Sequence, residues 1–372
     1  MKLSNALIFT NGAFVRGGIE FDDLIYEAGP QIADGIDAGG CYLIPGLVDI
    51  HTHAAVGADA SDGDLEGMYR MGRYYAAQGV TSWCPTTMTL KEPELTAALL
   101  SIRAYIRPAD GARVAGVHLE GPFLCYNKRG AQNPDNLHAP DAAMFRRLNE
   151  VSGGLVRLIT VAPEVEGALD FIREVSGEVT VSLGHTEADY DTAMAAYRAG
   201  ARHTTHLFNA MPPLAHRAPG VIAAAIDAGA TVELITDGLH IHPAVVRLTH
   251  RLFGDKLVLI SDSLRCAGMP DGDYELGGQP ITMKDGRATL TGTDTLAGSS
   301  IHLIDGLRRA VSFGVPLEAA ITAATLTPAK AIGREKEIGS LDPGKCADFV
   351  LLDEELNVKA VYIGGYEVTS NK

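Results

Sequence analysis

The chain predicts an α/β protein, a (β/α)8 TIM-like barrel with a small β-sandwich domain built from both chain ends. Three observations carry that prediction. After Pro45-Gly46 come eight short apolar runs, most of them separated by segments of helical periodicity. Polar residues suited to chemistry follow most of these runs directly. Finally, residues 1–44 and 336–372 hold only short β-like stretches with turn residues, too little to bury a core alone.

The elements follow in order. Asn11-Gly12 between apolar residues signals a hairpin. Barrel strands are expected at 47–50, 81–85, 113–119, 156–162, 179–183, 202–205, 231–236 and 256–260. Most are apolar throughout rather than alternating, as strands covered on both faces require. Helices are expected at 65–78, 92–106, 141–150, 187–199 and 244–252. The span 45–335 suits the ~250 residues of such a barrel plus one insertion. The insertion falls at 271–293, where Lys284-Asp285-Gly286-Arg287 reads as a hairpin turn. Helices at 299–312 and 317–332 would close the barrel, and the tail returns to strand at 344–353 and 358–365. The domains are therefore 1–44 with 336–372, and 45–335.

Composition excludes several function classes. The 372 residues are 46% hydrophobic and 21% charged, an ordinary globular balance. A net charge of −15 argues against nucleic-acid binding through the bulk field, so an anionic substrate needs a local cationic pocket. Cys41, Cys84, Cys125, Cys266 and Cys346 are odd in number and form no CxxC, which suits reduced thiols in a cytoplasmic protein. The N-terminal apolar run is too short for a secretion signal, and no stretch approaches the ~18 apolar residues of a membrane span.

In such barrels the loops after the strands form the active face. Asp49, His51 and His53 follow the first strand, Glu120 the third, His185 the fifth, His206 the sixth, Asp237 and His240 the seventh, and Asp262 the eighth. Imidazole and carboxylate are normal Zn²⁺ ligands, and an open coordination position turns water into a nucleophile. One Glu, two His and a nearby Asp therefore point to metal-assisted hydrolysis. Blander readings stand beside this one. A lone His at a strand end is usually packed or solvated, and Asp262 could cap a helix. His118 suits an orienting role, His203, His250 and His302 structural or exposed ones, and Asp189 and Asp191 helix-start charges. Trp83 reads as core.

Longer motifs sharpen the picture. They are Pro45-Gly46-Leu47-Val48-Asp49-Ile50-His51-Thr52-His53, His118-Leu119-Glu120-Gly121-Pro122-Phe123, Gly184-His185-Thr186 and Thr205-His206-Leu207-Phe208-Asn209-Ala210-Met211. Asp237-Gly238-Leu239-His240, Leu296-Ala297-Gly298-Ser299 and Gly339-Ser340-Leu341-Asp342-Pro343-Gly344 complete the set. With these the chain resembles, nearly end to end, the N-acetylglucosamine-6-phosphate deacetylases of the amidohydrolase superfamily. The resemblance implies that Glu120, His185 and His206 hold the main metal. It implies a second metal at His51 and His53 where that site is kept. Asp262 would be the base that takes a proton from water and returns it to the leaving amine. The metal implied is divalent, zinc first with iron, cobalt or manganese as alternatives, one or two per subunit. Ala131, Gln132, Asn209, Ala210, Arg217 and His240 would meet a phosphorylated amino sugar, some of them across a homodimer interface. Leu296, Ala297, Gly298 and Ser299 would line the sugar. An exposed Arg such as Arg217 is, on its own, ordinarily a solvated charge.

One position departs from the family. Where relatives commonly read Lys-Gly-Ala-His-Asn-Pro, this chain has Lys128-Arg129-Gly130-Ala131-Gln132-Asn133-Pro134. Gln132 donates and accepts hydrogen bonds but carries no charge. The exact substrate is therefore open between the glucosamine sugar, its galactosamine isomer and another N-acyl compound. Other classes fare worse. Hydrolases with a carbamylated Lys after strand four would need one near Val161-Ala162-Pro163-Glu164, where none stands. A non-catalytic relative kept for interactions usually loses its ligands, and a sugar-phosphate isomerase has no need of this set.

Overall fold

The computed structural model describes residues 1–368. Gly46 joins two sheets: Tyr42–Pro45 belongs to the sheet of the chain ends, and Leu47–Thr52 is the first barrel strand. A Cβ at Gly46 would sit 2.1 Å from Thr81 Oγ1, so only glycine lets the first two barrel strands approach here.

The barrel runs parallel and in sequence order. Leu47–Thr52 pairs with Val80–Thr87, which pairs with Val117–Glu120; Val156–Val161, Thr180–Leu183, His203–Thr204, Thr231–Ile235 and Leu257–Ile260 follow. The last strand meets the first through Asp262 N–H donating to the His51 carbonyl at 2.9 Å and His53 N–H to that of Ser263 at 3.1 Å. The strand expected at 113–119 is split into Arg113–Val114 and Val117–Glu120. Between them the chain passes close to Arg157, whose Cγ would lie 2.4 Å from a Cβ on Gly116.

Helices return between the strands, several started by an Asp whose carboxylate accepts a free N–H of the first turn. Asp64 does this for Leu65–Ala77, Asp141 for Ala142–Val151 and Asp189 for Tyr190–Ala199. The capping role read for Asp189 is thus what the structure shows, and it moves the start of that helix from 187 to 190. The stretch 317–332 is two helices, Leu317–Ala324 and Leu326–Ala331. Pro328 explains the break, because its ring opposes the carbonyl four residues back, where the first helix ends. Trp83, Phe123 and Phe145 are fully buried in the core between strands and helices.

Both chain ends build the β-sandwich-like layer. Its strand path is Tyr366–Glu367, Val358–Ile363, Phe349–Leu352, Tyr42–Pro45, Lys2–Thr10, Ala13–Phe21 and Ile25–Gly29. The layer curls until Leu24 bridges to Cys346, so that Ile8, Ile19, Phe21, Leu43 and Phe349 share one core. The insertion is a three-stranded antiparallel sheet, Gly272–Leu276, Gln279–Lys284 and Arg287–Leu290. Its second turn has Asp285 and Gly286 at φ 51° and 75°, as a type I′ hairpin needs. No helix among the described residues is long and apolar enough to cross a membrane.

Candidate metal centre and substrate pocket

The strand ends deliver their polar residues to one point. Glu120 closes the third strand, and its Oε1 lies 3.0 Å from His206 Nε2 and 3.2 Å from His185 Nε2. The two imidazole nitrogens are 3.1 Å apart. Ligands about 2.0–2.1 Å from a tetrahedral ion stand about 3.3 Å from one another, so this buried triangle has the dimensions of one face of such a site. His51 and His53 approach Glu120 from the first strand. His51 Nε2 is 3.4 Å from Oε1, and His53 Nε2 is 3.2 Å from Oε2. Two buried groups, Glu120–His185–His206 and His51–His53–Glu120, are thus able to hold a metal and share one carboxylate.

Local backbone geometry aims these side chains. His185, His206 and Asp262 all sit in the left-handed region, at φ 50°, 25° and 49°. Each turns the chain sharply out of its strand, a conformation that costs on the order of 1 kcal/mol or more and recurs at functional sites. For His206 this explains why the sixth strand is only His203–Thr204. Gly184 allows the turn before His185, since a Cβ there would meet Thr205 and Thr160 within 2.8 Å.

Second partners set the rings. His185 Nδ1 donates to the Lys128 carbonyl at 2.7 Å, and His53 Nδ1 to that of Thr86 at 3.1 Å. With a proton fixed on Nδ1, it is Nε2 that each ring turns toward the centre. His118 is buried behind the site with Nε2 2.7 Å from Thr160 Oγ1, which matches the orienting role read from the sequence. Burial, together with the charge on His51, pushes its pKa down to about 3.

Charge in the metal-free site is held by protons. Burial alone would raise the Glu120 carboxyl, but His51 and His185 beside it hold it well below the usual carboxylate range. Asp262 is lowered against its burial by His51 and His53. For His53 burial is overridden by Asp262 and Glu120, and its pKa rises to about 10. His51 is likewise raised, by Glu233, Glu120 and Asp262. Carboxylates that keep His51 and His53 protonated form a site that a divalent cation would enter by displacing those protons.

Above this floor lies a pocket of about 290 Å³. Its wall includes His53, Glu120, His185, His206 and Asp262, with Ala131, Gln132, Asn209, Ala210, His240, Leu296, Ala297 and Gly298. Nearly all the residues expected at the site are therefore brought together. His240 is fixed by Asp237, whose Oδ2 is 2.7 Å from its Nδ1. Asp262 caps no helix; it reaches within 3.4 Å of His53 Nε2 and 3.5 Å of His51 Nε2. Two expected residues stand off this wall. Ser299 stands behind the wall, where its hydroxyl donates to the Ser261 carbonyl and its N–H to that of Asp262. Arg217 is exposed on the loop after Met211 and lies off this wall.

Gln132 is buried and committed at both ends. Its Oε1 accepts the Thr89 N–H at 2.7 Å, and its Nε2 donates to Glu120 Oε2 at 2.6 Å. The residue that departs from the family pattern thus grips the shared carboxylate as well as facing the pocket.

Other contributors were not expected. Met88, Asn127, Lys128, Gly130, Ile235 and Leu264 also line the wall, as do Leu276 and Thr295 from the insertion and the loop after it. Glu233, mid-strand in Thr231–Ile235, is fully buried with Oε2 2.8 Å from His51 Nδ1. The signal for it was present, since a Glu inside the run Thr231-Val232-Glu233-Leu234-Ile235-Thr236 needs a buried partner.

Comparison with known proteins agrees with this geometry. The model of the amidohydrolase family matches residues 42–368. The chain is 37% identical over 386 residues to an N-acetylglucosamine-6-phosphate deacetylase of Bos taurus, covering 98% of this chain and 94% of that one. It is 38% identical over 327 residues to an N-acetylgalactosamine-6-phosphate deacetylase of Escherichia coli O157:H7, covering 87% and 86%. Among solved structures, a mutant N-acetyl-D-glucosamine-6-phosphate deacetylase of Mycobacterium smegmatis, in complex with N-acetyl-D-glucosamine-6-phosphate, superposes with a TM-score of 0.93 at 34% identity. That match covers 100% of this chain and 99% of the other. The extent of these matches places the chain in the amidohydrolase family, among its N-acetylglucosamine-6-phosphate deacetylases.

Proposed function

We propose that this protein is a metal-dependent hydrolase that converts N-acetylglucosamine-6-phosphate to glucosamine-6-phosphate and acetate. The observation that carries the reading is the Glu120–His185–His206 triangle, with Asp262 beside it, at the floor of a pocket able to take a sugar. Bound there, a divalent cation supplies Lewis-acid activation of water and of the amide carbonyl. We favour zinc, for its tolerance of mixed imidazole and carboxylate ligands, over iron, cobalt or manganese. His51 and His53 offer a second position.

The protein's own groups do the rest. Asp262 takes the proton of the attacking water and gives it to the departing amine, which leaves poorly as an anion. Gln132 holds Glu120 in place. Asn209, Ala210 and His240 receive the polar end of the sugar, and Leu296, Ala297 and Gly298 its ring. Arg217 meets the phosphate from a second copy of the chain in a homodimer, in keeping with its exposure and its absence from the wall of its own pocket. The setting is cytoplasmic amino-sugar breakdown, with neither nucleic acid nor membrane as partner.

Arg217→Ala is accordingly expected to raise KM for phosphorylated substrate by about 10-fold or more, the scale of one charge-assisted contact. Unphosphorylated N-acetylglucosamine should be turned over unchanged. Steady-state kinetics on the two sugars checks this; an equal effect on both would remove Arg217 from the phosphate.

A second reading keeps the reaction and changes the sugar. Gln132 departs from the family pattern, and the relative from Escherichia coli O157:H7 is named for the galactosamine epimer. Acetate release from the two 6-phosphates, with the unphosphorylated sugar alongside, decides between them. Preference for the galactosamine epimer moves the substrate, and failure on all three sugars with metal bound refutes the amino-sugar reading.

A further inference from the structure

Glu233 has no part in the chemistry above, yet it occupies the most demanding position in the barrel. It is a fully buried carboxylate on a strand whose Val232, Leu234 and Ile235 are buried too. Such a group persists only where donors surround it. It has three: His51 Nδ1 at 2.8 Å and the His206 backbone N–H at 3.1 Å on Oε2, and His203 Nε2 at 3.1 Å on Oε1. Strands one, six and seven are thereby tied to one side chain.

The partner matters more than the count. The imidazoles of His185 and His53 are oriented by neutral backbone carbonyls. That of His51 alone among the candidate ligands is oriented by a carboxylate, which accepts a hydrogen bond from Nδ1–H and makes the far nitrogen a stronger electron donor. That nitrogen, His51 Nε2, is buried and has no hydrogen-bond partner. It points toward Glu120 Oε1 at 3.4 Å and Asp262 Oδ1 at 3.5 Å, the same carboxylates that His53 Nε2 faces. A buried nitrogen left without a partner among acceptors is what a ligand awaiting a cation looks like.

We propose that Glu233 is a positioning residue of the metal centre. It fixes His51 with Nδ1 protonated and Nε2 bare, so that the His51–His53–Glu120 side presents lone pairs to a second divalent cation. Through the His206 backbone it also holds in place the sharp turn that aims the main-site imidazole. The inference rests on the reading of the site as a metal centre.

The test is made on the zinc-loaded full chain with ¹⁵N-labelled histidine. The expected spectrum has His51 protonated at Nδ1 and unprotonated at Nε2. Zinc bound with His51 protonated at Nε2 overturns this inference alone, whereas a chain that takes up no zinc overturns the metal reading and this inference with it. Glu233→Gln places an amide N–H₂ among three donors and is expected to weaken zinc at the second position by about 10- to 100-fold. The main position should stay filled, kcat should fall and KM should change little. Titration against a chelator reads the two affinities, and wild-type affinity at both positions refutes the role. The wild-type spectrum decides the matter even if that variant folds poorly.

Discussion

Asp262→Asn should lower kcat by about 1,000-fold, within the range of general acid–base contributions and equal to about 4 kcal/mol of barrel-site catalysis. Metal content and KM should remain near wild type. Three features make this the cleanest substitution in the site. Asn keeps the shape of Asp and is among the few side chains at ease at positive φ, so the backbone at φ 49° is undisturbed. Its carbonyl oxygen can take the place of the native Oδ1, 3.4 Å from His53 Nε2 and 3.5 Å from His51 Nε2. What it loses is the capacity to take a proton. The neighbouring histidines hold the native carboxyl ionised, so it waits as a base, while burial keeps it dry enough for the proton to be handed on. Acetate release and zinc content, measured on the same preparation, check the prediction. Near-normal turnover would mean that another group accepts the proton.

Glu120→Gln should remove both activity and metal. Its carboxylate belongs both to Glu120–His185–His206 and to His51–His53–Glu120. Oε1 closes the triangle with His185 and His206, while Oε2 faces His53 and is gripped by Gln132. An amide in its place offers at most one neutral acceptor, and its N–H₂ would confront either an imidazole or the Nε2 of Gln132. Zinc binding should weaken by at least about 100-fold, beyond the cost of disturbing a mere supporting partner. Turnover should fall below detection and return only weakly at high zinc. Metal content after dialysis against a chelator, followed by zinc add-back, tests this. A variant that keeps a full zinc equivalent would place the metal elsewhere.

The sequence made the active face legible because residue type and position coincide there. His51, Glu120, His185, His206 and Asp262 each follow an apolar run, and in a parallel barrel the end of a run is an address. The hairpin turns at Asn11-Gly12 and Asp285-Gly286 were legible for a similar reason: a type I′ turn needs positive φ at both positions. Side-chain direction within an element was not. Glu233 lies inside a run, and nothing local says that it points inward to His51 and His203. Gln132 was read for the charge it lacks, but its hold on Glu120 depends on Thr89, which sits 43 residues away. Ser299 and Arg217 came from resemblance alone. Resemblance transfers a position, whereas the direction of a side chain from that position is set by tertiary packing.

Gly46 lets a single chain segment serve two sheets without a linker, and this sets an order of events during synthesis. Tyr42–Pro45 pairs on one side with Lys2–Thr10, made before it, and on the other with Phe349–Leu352, made long after it. Gly46 itself donates to the carbonyl of Asp348. His51 and His53 lie only a few residues beyond that junction. The strand that carries them is made long before Phe349–Leu352 is there to clamp its root. A chain cut before Phe349–Leu352 would therefore leave the root of that strand paired on one side only.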